Sequence, residues 1–240
     1  IILFGGFQVF DRSGTDITRL FTPLISKLFL SILLNTLRDN KGITSGMLRD
    51  QLWSGKSLSS ARNTMAVNLI RLRKILEGLD GCRISSETSY WKFEFDTSVV
   101  YIDYWEYLTL ARESQMISRV QLLDLLRLFH SGPFLHGISF EEVDNFKTEV
   151  SDTATDVLSR FERTLNPETD AELLMEVCNT VFIFDPVDEE ALILKCKILL
   201  KAGKHSMAVK CFEQFSKQYF ELYGEEFGKS YKDIFGVDPS

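Results

Sequence analysis

The sequence predicts a mainly α protein in two parts: a basic N-terminal part with short strands at both ends, and an acidic all-helical part behind it. Three observations predict this. Apolar residues recur at steps of three and four over most of the chain after Pro23, while β-prone segments are confined to residues 1–20 and 82–95. The charge is divided: residues 1–100 carry 13 Lys+Arg against 9 Asp+Glu, and residues 101–240 carry 14 against 25, so the net charge of −7 conceals a basic half and an acidic one. The length of 240 residues suits two domains better than one small core. The domains are expected at 1–98 and 99–240.

Taken in order, Ile1–Phe10 reads as a strand, Asp11-Arg12-Ser13-Gly14 as a turn and Thr15–Leu20 as a return strand. Thr22-Pro23 places a cap and then a proline at the first helical position, and Leu24, Ile25, Leu28, Phe29, Ile32, Leu33 and Leu37 follow at helical spacing to about Asp39. Thr44 caps a second, short helix with Met47, Leu48, Leu52 and Trp53 inward. Ser54-Gly55-Lys56 makes a tight connection to a third helix.

That third helix, Ser57–Leu76, organises the N-terminal half. Leu58, Ala61, Met65, Leu69, Leu72 and Leu76 share one face, expected to be buried. The outward ladder is Ser60, Asn63, Thr64, Val67, Ile70, Arg71 and Lys74, with Arg73 on a flank. Between Gln51 and Leu76 there is no acidic residue, yet Lys56, Arg62, Arg71, Arg73 and Lys74 are present. A face mixing cations, an amide and aliphatics suits a major groove, where Arg chelates guanine, Asn chelates adenine and Val or Ile packs on a thymine methyl. The bland alternative is an amphipathic surface helix with a basic side. Beyond Gly78 and Gly81, Cys82–Ser85 and Tyr90–Phe95 flank the polar tip Ser86-Glu87-Thr88-Ser89 and form a hairpin. Short helix, turn, longer basic helix and hairpin, after N-terminal strands, is the order of a winged helix-turn-helix.

Four stretches carry a family resemblance: FGGFQVFDRSGTDITRLFTPLISKLFLSILL, TSGMLRDQLW, SSARNTMAVNLIRLRKILEG and the hairpin ending in KFEFD. They resemble the OmpR/PhoB-type winged helix, in the version found in the Streptomyces antibiotic regulatory protein (SARP) family. The resemblance covers residues 1–98 and is most specific at NTMAVNLIRLRKIL. It implies Arg71 at base edges, Arg73 on a phosphate, and Trp53 and Asn68 near the DNA backbone. Thr88 and Lys92 complete the candidate set on the wing, which departs from the family in having Glu87 where a cation is common and Tyr90-Trp91 where Gly-Tyr is usual.

The second half reads as helices at Tyr104–Ser114, Ser118–His130, Glu141–Leu165, Asp170–Phe184, Asp188–Lys201 and Ser206–Tyr223, punctuated by Ser131-Gly132-Pro133, Asn166-Pro167, Asp185-Pro186 and Ala202-Gly203-Lys204. Helices of this size joined by short turns suit helical-hairpin repeats of the tetratricopeptide (TPR) type, and Ala191, Ala208, Phe212 and Tyr219 fall where antiparallel helices approach closely. SGPFL at 131–135 and the stretch 184–224 resemble the bacterial transcriptional activator domain that follows the winged helix in the same family.

Competing chemistries are poorly served. Gly55-Lys56-Ser57 lacks the earlier glycine of a phosphate loop, since Asp50 stands there, and it follows a helix instead of a strand. His130 and His136 have no partner at metal-ligand spacing. Asp185, Asp188, Glu189 and Glu190 suit a helix start better than a catalytic carboxylate pair. The four cysteines show no CxxC spacing and are expected as free thiols. Neither a signal peptide nor a membrane span is read, so a cytoplasmic location is expected. The chain opens at Ile1 without Met, directly on a strand pattern, and is expected to continue upstream.

The expectation is therefore a transcriptional activator without enzymatic activity or cofactor, reading double-stranded DNA with the helix at 59–77. Its acidic half would contact RNA polymerase and a neighbouring copy on direct repeats, with no membrane partner. The alternative is a TPR-like protein-interaction adaptor whose winged helix does not bind DNA.

Overall fold

A computed structural model describes residues 1–112 and 118–236. The chain divides into two compact units, Ile1–Leu108 with Phe134–Thr148, and the remainder.

In the first unit, Gly5 and Gly6 both take positive φ (79° and 142°) and fold the N-terminal segment back on itself, so that Ile2 pairs with Gln8 and, after the next turn, Phe10 pairs with Asp16. The N-terminal pairing is thus present as separate antiparallel bridges, and its return leg closes as a 3-10 helix at Thr18–Leu20 instead of running on as a strand. Helix α1, Pro23–Asp39, starts on its proline as expected, although Thr22 makes no side-chain capping bond, and it stops at Asn40 in the left-handed conformation. Almost every residue from Ile25 to Leu37 is buried, so α1 is the axle of the core rather than an amphipathic surface helix. Phe29 carries the packing outward, its ring meeting those of Phe7, Phe21 and Phe93 at 5.2–6.1 Å.

Five further elements complete the winged helix. Strand β1 (Ile43–Thr44) leads into α2 (Ser45–Trp53), and α3 (Leu58–Leu76) follows a four-residue connection. Strands β2 (Cys82–Glu87) and β3 (Tyr90–Phe95) form a hairpin with Cys82 opposite Phe95 and Glu87 opposite Tyr90. Because β1 adds to β3 through Ile43 opposite Trp91, the sheet is three-stranded and antiparallel in the order β1-β3-β2. Asp103, at the start of α4 (Asp103–Arg112), is buried and accepts the backbone N–H groups of Leu3, Phe4 and Tyr104 at 2.7–2.9 Å. Burial pushes its carboxyl above the usual range, against the pull of those three donors.

The second unit is all helical: α5 (Arg119–His130), most of α6 (Glu141–Glu162), α7 (Ala171–Phe184), α8 (Glu189–Lys201), α9 (His205–Tyr223) and α10 (Tyr231–Phe235). Ser118 and Gln121 form a capping box on α5, and Asp188 caps α8 by accepting the Ala191 N–H at 2.8 Å. Leu192, Cys196 and Leu199 of α8 pack with Ala208 and Phe215 of α9 and with Tyr231 of α10. The short α10, absent from the sequence reading, is set by a capping box between Ser230 and Asp233. Glu113 and Ser114, the end of the helix expected from Tyr104, lie outside the described residues. Among the described residues, no helix is long and apolar enough to cross a membrane.

Candidate nucleic-acid interface

Helix α3 is fixed from below. Ser57 accepts the Ser60 N–H at 3.4 Å as N-cap, and Ala61, Met65, Leu69, Leu72 and Leu76 are buried as the spacing requires. Each fully buried leucine contributes about 1.5–3 kcal/mol to holding the helix in place. Leu58 departs from the expectation: it is 64% exposed, because it is the first residue after the cap and the core begins a turn later at Ala61.

The opposite face presents Arg62, Asn63, Val67, Ile70, Arg71 and Lys74 to solvent, with Thr64 half-buried. Val67 and Ile70 are 48% and 65% exposed. Among the described residues, none of the ion pairs takes in Lys56, Arg62, Arg71, Arg73 or Lys74. Three other cations of the same unit are matched: Arg12 to Asp80 at 3.3 Å, Arg49 to Asp50 at 3.5 Å, and Arg83 to Glu94 across the wing at 2.6 Å. The positive charge of α3 is therefore uncompensated locally, the condition under which a polyanion gains most from approaching it.

The remaining candidates fall in three places. Lys56, just before the helix, donates from Nζ to Thr64 Oγ1 at 3.3 Å, and Thr64 in turn donates to the Ser60 carbonyl at 2.8 Å. Trp53 and Asn68 are each only 5% exposed; Trp53 belongs to the core, and the Asn68 amide donates to the Thr64 carbonyl at 2.7 Å. On the wing, Thr88 is exposed at the hairpin tip with φ of 45°, Ser89 beside it with 73°, and Lys92 is half-buried opposite Ser85. A two-residue turn with both positions at positive φ matches the twist of the strands, at some strain for the β-branched threonine.

Arg73 holds an unforeseen position. Its Nε donates to the Ile84 carbonyl at 3.4 Å and its guanidinium sits over the Trp91 ring at 5.3 Å, so it ties α3 to both strands of the wing. Trp91 is anchored from its other edge, Nε1 donating to Ser45 Oγ at 2.8 Å at the start of α2, while Ser45 N–H donates to the Ser89 carbonyl at 3.0 Å. Gly42 permits this closure: a Cβ there would lie 2.2 Å from the Trp91 carbonyl oxygen. Sequence reasoning missed Ser45 and Gly42 altogether. The available signal was the tryptophan itself, a large ring on a short wing strand that needs a partner for its N–H.

Comparison with models of known protein families and with curated protein sequences finds no match. Among solved structures, Mycobacterium tuberculosis EmbR, determined in complex with a low-affinity phosphopeptide, is similar at a TM-score of 0.60 and 15% identity. The match covers 94% of this chain and 61% of that one, so the chain spans about three-fifths of the neighbour's length. At this identity the likeness is one of fold alone, a winged helix followed in sequence by helices.

Proposed function

We propose that the chain is a non-enzymatic, sequence-specific transcriptional activator of the SARP type, whose helix α3 enters the major groove of duplex DNA. The observation that carries this reading is the exposed α3 face, where unpaired arginines and a lysine alternate with Asn63, Val67 and Ile70. A merely solvated helix face would interleave acids with its bases; this one has none from Leu58 to Leu76. Arg71 reads base edges, Arg62, Lys74 and Lys56 neutralise phosphates, and Thr88 and Lys92 lie along the wing's side of the duplex. Arg73 contacts phosphate from its place beside Trp91. Trp53 and Asn68 act at the backbone only through the edges that their burial leaves open.

The DNA-reading region is residues 1–98 and the protein-contact region 99–240. Net negative charge makes the latter a poor partner for DNA, and its helical hairpins offer a surface for RNA polymerase and for a neighbouring copy on direct repeats. The fold shared with EmbR, and the sequence resemblance at the recognition helix, support a regulator acting in the cytoplasm. Selection of the full chain on a random duplex library tests the reading. A motif enriched over successive rounds, and lost with Arg71→Ala, is the expected result; no enrichment at low salt would leave the adaptor reading.

A further inference from the structure

Three cysteines lie on successive helices of the second unit: Cys178 on α7, Cys196 on α8 and Cys211 on α9. Among the described residues, no three His, Cys, Asp or Glu side chains are grouped so as to hold a metal ion, so shared metal ligation does not account for them. Cys178 is fully buried, its thiol pushed up to about 12 by burial with Glu162 nearby. The other two stand in a different relation.

Helices α8 and α9 are joined by the tight turn Ala202-Gly203-Lys204, so they run antiparallel as a hairpin. Cys196 lies five residues before the end of α8 and Cys211 six residues after the start of α9, nearly mirror positions about the turn. Both belong to one packed cluster. The buried Cys196 S–H donates to the Ala208 carbonyl of α9 at 3.6 Å, which sets its sulfur against α9 one turn before Cys211. The neighbouring Cys196 thiol draws the Cys211 thiol down, against its partial burial and with help from the Lys195 ammonium. The buried Cys196 moves up in consequence.

Cys211 also has an entrance. It lines a cavity of about 260 Å³ together with Lys195, Asn179, Phe182, Gln214 and Gln218. The Lys195 ammonium is held over the Phe182 ring at 5.3 Å, which keeps a cation in the cavity wall. A nucleophilic sulfur at the wall of a polar, cationic cavity, with a second thiol behind it, has the parts of a two-thiol redox site: an attacking sulfur reachable from solvent and a resolving one that is shielded.

We propose that Cys211 and Cys196 form a peroxide-responsive dithiol that closes to an α8–α9 disulfide. The Cys211 thiolate attacks a hydroperoxide, forming an S–O bond and breaking the O–O bond; the leaving hydroxide, or alkoxide, takes up a proton. Cys211 is then a sulfenic acid. The Cys196 sulfur attacks it, forming the S–S bond and releasing its own proton, and the departing hydroxide leaves as water. With hydrogen peroxide the two thiols give up two electrons and the oxidant becomes two waters. The link pins α8 to α9 beside the unit's core cluster, and thiol reductants reverse it.

The test uses the full chain, reduced and then freed of reductant, treated with hydrogen peroxide and mapped by non-reducing peptide mass spectrometry alongside a free-thiol count. Two thiols lost per chain, a peptide linking Cys196 to Cys211, and recovery with dithiothreitol are expected. C211S should abolish the loss, C196S should leave a sulfenic acid on Cys211 that a dimedone-type reagent traps, and C178S and C82S should behave as wild type, with circular dichroism confirming that each variant is folded. In the unmutated chain, a thiol count unchanged at peroxide levels that oxidise free cysteine would overturn the proposal. Oxidation of Cys82 or Cys178 as fast as Cys211, or a link from Cys211 to Cys178, would overturn it equally.

Discussion

Helices α3 and α9 are both 19 residues long, both lie one face on a core, and both leave large apolar side chains in water. On α3 those are Val67 and Ile70, set among Arg62, Arg71 and Lys74; on α9 they are Met207, Phe220, Leu222 and Tyr223, 52–60% exposed. The charges separate the two. Helix α3 has four cations and no acid, whereas α9 sets Lys210 and Lys217 against Glu213 and Glu221, with Lys217 paired to Glu221 at 3.7 Å. An exposed apolar strip therefore does not by itself define the partner. An apolar strip within unpaired positive charge suits a polyanion that brings thymine methyls, and an apolar strip within balanced charge suits another protein surface.

That contrast can be strained from several directions. The largest effect should come from below α3: Leu72 is fully buried, and Leu72→Ala should cost about 2–5 kcal/mol of stability, read from denaturant midpoints. Two residues away, Ile70→Ala should leave the midpoint nearly unchanged while weakening DNA binding. Equal destabilisation by both would mean that the outer face is part of a core. Next, Arg71→Ala should lose about 1–3 kcal/mol on the selected site and much less on random duplex, read by fluorescence anisotropy. Loss in the same ratio on both DNAs would remove Arg71 from the bases.

Smaller effects separate Arg73 from its neighbours and α9 from α3. Arg73→Ala removes the contact with Trp91, worth about 0.5–1 kcal/mol of stability at an exposed site, and should weaken specific and random DNA alike. Because Arg73 also holds the wing, amide exchange along β2 and β3 should rise in the variant, which loss of a phosphate contact alone would not produce. Phe220→Ser with Leu222→Ser should shift stability by no more than about 0.5 kcal/mol per residue and leave single-site affinity alone. Footprints on paired direct repeats should show cooperative filling lost. Retained cooperativity would move the protein-contact surface elsewhere.

What was legible in the sequence was what local pattern controls. The 3.6-residue period placed α3 and its two faces, Thr44 and Asp188 announced their helices, and the polar tip between β-prone segments placed the wing. What was illegible depends on partners far along the chain. Strand β1 is two residues long, too short to show alternation, and exists because β3 offers it an edge. The Trp91 anchor is Ser45, 46 residues away, and Arg73 turns toward the wing instead of lying along its own helix. Leu58 failed at the helix end, where periodicity continues but the core does not.

The claim at the centre is that the unpaired cations of α3 meet phosphates. It is tested most directly by the affinity of the full chain for its selected duplex over a salt series. With five or six phosphate contacts, log K should fall with log salt at a slope of about −5, at roughly −0.9 per neutralised phosphate, and Lys74→Gln should make that slope shallower by about one. A flat response, or binding insensitive to loss of Lys74, would contradict the account.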